Sequence, residues 1–104
     1  TVVAYYPMTR NVSDMRSLAA QFKVPILVLT GELDTYYGCC LIESMKRMEA
    51  AAKDGEKPFE LVVYPKANHM FNLKIEGLDF FRAEDAADAW QRTTKMLGQY
   101  QLLR

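Results

Sequence analysis

Histidine and cysteine are scarce in this sequence, and their scarcity excludes several kinds of site. His69 is the only histidine, and the only two cysteines, Cys39 and Cys40, are adjacent in the chain. Adjacent cysteines cannot close a loop of chain or supply the spaced ligands of a zinc knuckle. We therefore expect two free thiols, which favour a reducing, cytoplasmic compartment.

Neither sign of charge is in excess, and long apolar runs are absent. Lys and Arg number 13 and Asp and Glu number 13, so the formal net charge is zero. This balance speaks against a nucleic-acid or anionic-membrane partner. No stretch is long enough to span a bilayer, and no signal-peptide pattern is visible. At 104 residues the chain is one domain or part of one.

The most informative stretch runs from Val24 to Gly38 and reads V-P-I-L-V-L-T-G-E-L-D-T-Y-Y-G. Its unbroken apolar start predicts a strand buried on both faces, as in parallel sheets. Gly31 ends the strand, so Asp34 follows its carboxyl end, where open α/β sheets place their chemistry. An aspartate there is also a common turn former or helix cap, so Asp34 needs a partner before it indicates function.

A second strand of the same kind, residues 59–64, is followed by His69. The carboxyl ends of adjacent parallel strands open on one edge of the sheet, so we expect Asp34 and His69 to form a hydrogen bond. An aspartate that holds a histidine provides two members of a nucleophilic triad. The alternative is a surface histidine in a loop, without a function.

Helical periodicity predicts two longer helices and completes an α/β fold with a parallel sheet and flanking helices. The first helix covers residues 38–54, and the second covers residues 83–97 and ends at Gly98. Trp90 is predicted to anchor the second helix on the sheet. A β-rich segment opens the chain, and Ser13 or Asp14 is expected to cap a short helix after it. The predicted buried stripes are Leu41, Met45, Met48 and Ala52, and then Ala83, Ala86, Ala87, Trp90, Thr94 and Leu97.

Three segments give the chain a resemblance to a known family: V-P-I-L-V-L-T-G-E-L-D, Y-P-K-A-N-H-M-F and A-A-D-A-W-Q-R-T. In order and spacing they resemble the carboxyl-terminal part of an α/β-hydrolase, most closely the dienelactone hydrolase family. The resemblance implies that residues 1–104 form the last strands of an incomplete hydrolase domain. It also implies that Asp34 is the triad acid and His69 the triad base. The implied reaction cleaves ester, lactone or similar acyl bonds and needs no metal or organic cofactor.

The sequence departs from the family pattern in three places. No G-x-S-x-G or G-x-C-x-G motif is present, so the nucleophile, Ser or Cys, is expected in a missing amino-terminal part. Cys39 and Cys40 follow the acid-bearing strand, whereas the family's nucleophile precedes it, so neither cysteine is expected to replace it. Met70 stands where the family commonly has a small residue. Asn72, Leu73 and Lys74 occupy the place of an arginine that holds a substrate carboxylate, which makes dienelactone itself a doubtful substrate.

These departures leave two functional hypotheses open. In the first, the chain is the acid-and-histidine portion of a hydrolase for a small acyl substrate and is inactive alone. In the second, it is a non-catalytic interaction or dimerisation module. In both cases the first strand has an uncovered edge, which predicts a homodimer or association with the missing amino-terminal part. The chain could be a fragment, a processed product or a natural short protein.

Overall fold

Strand β2 (Ile26–Gly31) lies at the centre of a three-stranded parallel sheet in the computed structural model, which describes residues 1–100. Strand β1 (Val2–Tyr5) pairs with one side of β2, and strand β3 (Phe59–Tyr64) pairs with the other. Ile26 is opposite both Val2 and Phe59, so the strands begin in register. The predicted α/β class with a parallel sheet is confirmed.

Three α-helices connect and cover the strands of the described chain: α1 (Met15–Ala20), α2 (Ile42–Asp54) and α3 (Ala83–Tyr100). Asp14 caps α1 as predicted, because its carboxylate accepts hydrogen bonds from the Ser17 backbone amide at 3.1 Å and from the Ser17 hydroxyl at 2.8 Å. Within residues 1–100, no helix combines the length and the apolar character needed to cross a lipid bilayer.

The two faces of β2 are covered by different clusters of side chains. Val28 belongs to a cluster with Met45 and Met48 of α2. Leu27 and Leu29 belong to a second cluster, which includes Phe71 and residues of α3. Because both faces are covered, every position of the strand favours an apolar or small residue, which explains the unbroken apolar run.

Helix α2 begins later than predicted. A short 3₁₀ turn (Tyr36–Gly38) precedes it, and Gly38 has a positive φ of 63°, a conformation that no α-helix continues. The helix therefore begins at Ile42 and ends at Asp54. Met45, Met48 and Ala52 are buried as predicted.

The predicted end of α3 and most of its predicted buried stripe are wrong. The helix continues through Gly98 to Tyr100, and Trp90 is 63% exposed. Ala83, Ala87 and Thr94 are exposed as well. Its buried positions are Ala89 and Thr93, whose small side chains let the helix lie close to the sheet. Trp90 is one residue, or about 100° of helical rotation, away from Ala89 and does not face the sheet.

Candidate active site

Asp34 and His69 form the hydrogen bond that the sequence predicted. A carboxylate oxygen of Asp34, Oδ2, lies 2.8 Å from Nδ1 of His69. The other oxygen, Oδ1, accepts a hydrogen bond from the Tyr36 backbone amide at 3.1 Å. Asp34 is only 1% exposed, so both partners hold a buried carboxylate in one orientation. The arrangement makes Nδ1 the donor and leaves Nε2 free to accept a proton.

Gly31 allows the loop that carries His69 to lie against the end of β2. A Cβ atom at this position would lie 2.3 Å from the backbone oxygen of Ala67, closer than any side chain permits. The two loops are also joined by backbone hydrogen bonds of 3.0 Å each, from Glu32 to Tyr64 and from Leu33 to Ala67. The absence of a side chain at Gly31 therefore allows the loops that carry acid and histidine to meet.

Two tyrosine rings hold the imidazole of His69, and sequence reasoning missed both. The Tyr36 ring stacks on it with centroids 4.7 Å apart and planes 1° from parallel. The Tyr6 ring contacts it at 4.4 Å, tilted by 49°. The only available signal was their position, since each tyrosine follows the end of a strand on the edge that bears His69.

Tyr6 is itself fixed by a side chain from the loop after His69. Its hydroxyl donates a hydrogen bond of 2.7 Å to Oδ1 of Asn72. Burial raises the pKa of the Tyr6 phenol, and the neighbouring Tyr5 and Asp34 add to the shift. The phenol therefore remains neutral and a donor well above neutral pH, which keeps β1 and the histidine loop connected.

Backbone strain is concentrated around the histidine. Of the four non-glycine residues with positive φ among residues 1–100, three lie here: Tyr6 at 37°, Tyr37 at 49° and Met70 at 61°. Such conformations cost about 1–3 kcal/mol each and cluster at functional sites. The value at Met70 also explains why a small residue suits that position, because glycine adopts positive φ without a penalty.

The expectation of free thiols at Cys39 and Cys40 was wrong. A disulfide joins them. The bond can form because the two cysteines follow a 3₁₀ turn, whereas in a strand neighbouring side chains point to opposite faces of the sheet. Both residues are buried, and Sγ of Cys39 lies 4.0 Å from Nδ1 of His69. The bond occupies both sulfur atoms, so in this state neither cysteine is a nucleophile.

A cavity of about 380 Å³ opens beside His69. Aromatic and sulfur-containing side chains form most of its wall, together with one cation: Met8, Arg10, Tyr36, Tyr37, Cys39, Cys40 and His69. Arg10 is exposed and donates a hydrogen bond of 2.9 Å to the Tyr37 carbonyl. A cavity of similar volume lies at the other end of the sheet, lined by Pro25, Pro58 and Arg92 among others, and no histidine reaches it.

Of the three residues that stand where the sequence resemblance implied an arginine, two are engaged elsewhere. Asn72 accepts the hydrogen bond from Tyr6, and the Lys74 ammonium lies 5.0 Å from the centre of the Phe81 ring. Leu73 is exposed. Within the described chain, Arg10 is the basic residue in the wall of the cavity beside His69.

Comparison with known proteins relates the chain to one family over nearly its whole length. The model of the dienelactone hydrolase family matches residues 1–101. A Methylorubrum extorquens protein named carboxymethylenebutenolidase is 34% identical over 93 residues, which cover 89% of this chain and 29% of that protein. An Escherichia coli O157:H7 protein of the same name is 32% identical over 83 residues, which cover 80% of this chain and 29% of that protein.

A solved structure shows the same arrangement of strands and helices. The crystal structure of a dienelactone hydrolase from Klebsiella pneumoniae superposes with a TM-score of 0.78 at 26% sequence identity. The match covers 96% of this chain and 42% of the Klebsiella protein. The chain thus spans less than half the length of these relatives.

Proposed function

The chain belongs to the dienelactone hydrolase family, and from that premise we propose that Asp34 and His69 are the acid and the base of a hydrolase acting on ester, lactone or similar acyl bonds. The observation that carries the proposal is the 2.8 Å hydrogen bond between the buried Asp34 carboxylate and Nδ1 of His69. Nε2 of His69 takes the proton of the nucleophile, and Asp34 orients the ring and stabilises the imidazolium that forms.

The nucleophile, on this proposal, is supplied from outside residues 1–104. The five glycines are at positions 31, 38, 55, 77 and 98, so no pair has the spacing of a nucleophile elbow. Cys39 and Cys40 are bonded to each other. We therefore propose that this chain alone does not turn over esters, because a triad without its nucleophile keeps little activity.

The first test reads the tautomer of the single histidine. A long-range ¹H–¹⁵N spectrum of the chain needs no assignment, since His69 is the only histidine. The proton is expected on Nδ1 in the wild type, and Asp34→Leu should shift it toward Nε2, the tautomer that free imidazole side chains favour. Tyr37→Phe, a change at an exposed ring in the same loop, is the matched control. A proton on Nε2 in the wild type would contradict the triad geometry.

The second test measures catalysis in a chimera. Residues 1–100 replace the matching part of the Klebsiella dienelactone hydrolase, which supplies an amino-terminal portion, and hydrolysis of p-nitrophenyl acetate is followed. His69→Ala should lower kcat by about 10⁴-fold, as loss of a triad member does. Lys66→Ala, an exposed change near His69, should leave kcat unchanged. If His69→Ala leaves the rate of a folded chimera intact, the assignment is wrong.

A second candidate function, an interaction or dimerisation module, is favoured by the outer edge of β1. In the described chain β1 pairs only with β2, and Val2 is 43% exposed. An uncharged strand with one free edge invites pairing with another strand. We propose that a second copy of the chain, or an amino-terminal portion of the same hydrolase, covers this edge.

A further inference from the structure

Three side chains with ligand atoms for soft metals converge beside the candidate active site. One ligand atom from each of Cys39, Cys40 and His69 lies within 4.8 Å of the others. The adjacency of the cysteines excludes a zinc knuckle made of spaced pairs, but His69 comes from a distant loop and adds a third ligand. Two sulfurs and one imidazole nitrogen suit thiophilic d¹⁰ ions, whereas Mg²⁺ and Ca²⁺ require oxygen ligands.

The separation of the Cys39 sulfur from the imidazole nitrogen is close to what one ion requires. Tetrahedral zinc, with bonds of about 2.3 Å to sulfur and about 2.1 Å to nitrogen, holds these ligand atoms about 3.6 Å apart. Sγ of Cys39 lies 4.0 Å from Nδ1 of His69, so this pair needs a shift of only a few tenths of an ångström. The two sulfurs, about 2 Å apart in a disulfide, must separate to about 3.8 Å after reduction, which requires rotation of the cysteine side chains. The same three residues and the Met8 side chain line one cavity, which gives an ion an entry path and room for a fourth ligand.

We propose that Cys39, Cys40 and His69 bind a single thiophilic d¹⁰ metal ion, such as Zn²⁺ or Cd²⁺, once the disulfide between the two cysteines has been reduced. The disulfide engages both sulfur atoms, so the oxidised chain lacks two of the three ligands. The redox state of the cysteines therefore decides whether the site exists. Metal binding at this site does not depend on the proposed hydrolase function.

Disulfide reduction and metal binding together conserve electrons, protons and oxygen atoms. A phosphine reductant gives two electrons to the disulfide and becomes a phosphine oxide with oxygen from water, and the two sulfur atoms become thiols. The ion then replaces the two thiol protons, which leave to solvent. The proton on Nδ1 of His69 moves to Nε2, because the ion takes the nitrogen lone pair. Binding thus breaks the Nδ1 hydrogen bond to Asp34, and the ion competes with the Asp34–His69 pair.

The test is a titration of the reduced chain with Cd²⁺, using tris(2-carboxyethyl)phosphine to exclude competing thiols. We expect an ultraviolet cadmium–thiolate charge-transfer band that saturates at one ion per chain. The His69 spectrum should change from the Nδ1–H to the Nε2–H tautomer with the same stoichiometry. The oxidised chain should show neither change.

Variants and a chemical block separate this site from other ways of binding Cd²⁺. Cys39→Ser or Cys40→Ser should weaken binding, and His69→Gln should weaken it about 10- to 100-fold or more, since even outer partners of a metal ligand contribute that much. Thiol alkylation of the reduced wild type gives the same test without a substitution. Leu73→Ala, at an exposed loop residue, should leave the affinity unchanged. Equal Cd²⁺ affinity in His69→Gln, in either cysteine variant or in the alkylated chain would overturn the proposal, as would binding by the oxidised chain.

Discussion

Strands β1 and β3 flank the same central strand, yet only β3 has a protected outer edge. β3 carries Glu60, whose side chain is 65% exposed and lies 3.9 Å from Arg92. β1 reads V-V-A-Y and contains no charge. Charged side chains on an edge strand oppose pairing with another sheet. The difference is consistent with the proposal that a partner covers the β1 edge, whereas the β3 edge carries a charge that opposes pairing.

The two strands also differ in how they are joined to α3. The Tyr64 hydroxyl at the end of β3 donates to Asp88 at 2.7 Å, and Arg92 donates to the same carboxylate at 2.8 Å. β1 has one neutral hydrogen bond of 2.8 Å between the hydroxyls of Tyr5 and Thr93. Strand β3 is therefore joined to α3 through a charged carboxylate and β1 through a neutral hydrogen bond. Tyr6, which contacts His69, follows β1, the less protected strand.

The largest expected effect comes from Gly31→Ala at the end of β2, where the loop that follows β3 lies against it. The added methyl group would lie 2.3 Å from a backbone oxygen of the histidine loop, so that loop must move. We expect a loss of about 3 kcal/mol in the free energy of unfolding, at the upper end for overpacked sites. The Nδ1–H tautomer of His69 should also be lost. Urea unfolding and the histidine spectrum measure the two effects.

Gly98→Ala is the matched control for that change. Beyond its own turn of α3, no atom of residues 1–100 lies within 4 Å of the added methyl group, and alanine is favoured over glycine within a helix by up to about 1 kcal/mol. This variant should be as stable as the wild type or slightly more stable. If both variants lose stability equally, close approach at Gly31 is not the cause.

The next largest expected effect is on dimerisation through the β1 edge. We expect the wild-type chain to form a homodimer through β1, and Val2→Lys to raise the dimer dissociation constant about tenfold or more, equivalent to about 1.4 kcal/mol. Glu60→Gln, which alters only the β3 edge, should leave dimerisation unchanged. Light scattering combined with mass spectrometry reads both the size and the composition. A monodisperse monomer without a second polypeptide would refute the idea that this edge requires a partner.

The Asp34–His69 pair was predictable because it depends on topology alone. A buried apolar run followed by an acid, and a second such run followed by the only histidine, fix both residues at one edge of a parallel sheet. The ring contacts of Tyr6 and Tyr36 were not predictable in this way. Ring stacking depends on how loops fold over the sheet edge, and that folding leaves no periodic signal in the sequence.

The errors in α3 have a different origin. Alanine is compatible with either face of a helix, so the pattern from Ala83 to Ala89 permits more than one buried stripe. Giving weight to the largest apolar residue placed Trp90 in the core, whereas the fully buried positions of α3 are occupied by the small residues Ala89 and Thr93. The cysteine error arose because adjacency excludes a loop-closing bond but not a bond between the two neighbours themselves.

The smallest expected effect is a pH dependence on the β3 side. Hydrogen bonds from Tyr64 and then Arg92 lower the pKa of Asp88 below its usual value. A carboxylate with a lowered pKa in the folded state contributes stability above its unfolded pKa of about 3.9, and this contribution is lost as the pH falls through the folded value. The Asp88 side chain is 44% exposed, so solvent screening limits the contribution to about 1 kcal/mol or less.

Between roughly pH 6 and pH 3, the difference in urea midpoint between wild type and Asp88→Asn should shrink toward zero. Thr93→Val, which removes the neutral hydrogen bond of β1, should shift the midpoint by the same amount at every pH. A wild-type advantage over Asp88→Asn that stays constant down to the lowest pH would show that the carboxylate charge of Asp88 contributes nothing, and the two sides of the sheet would then not differ in their response to acid.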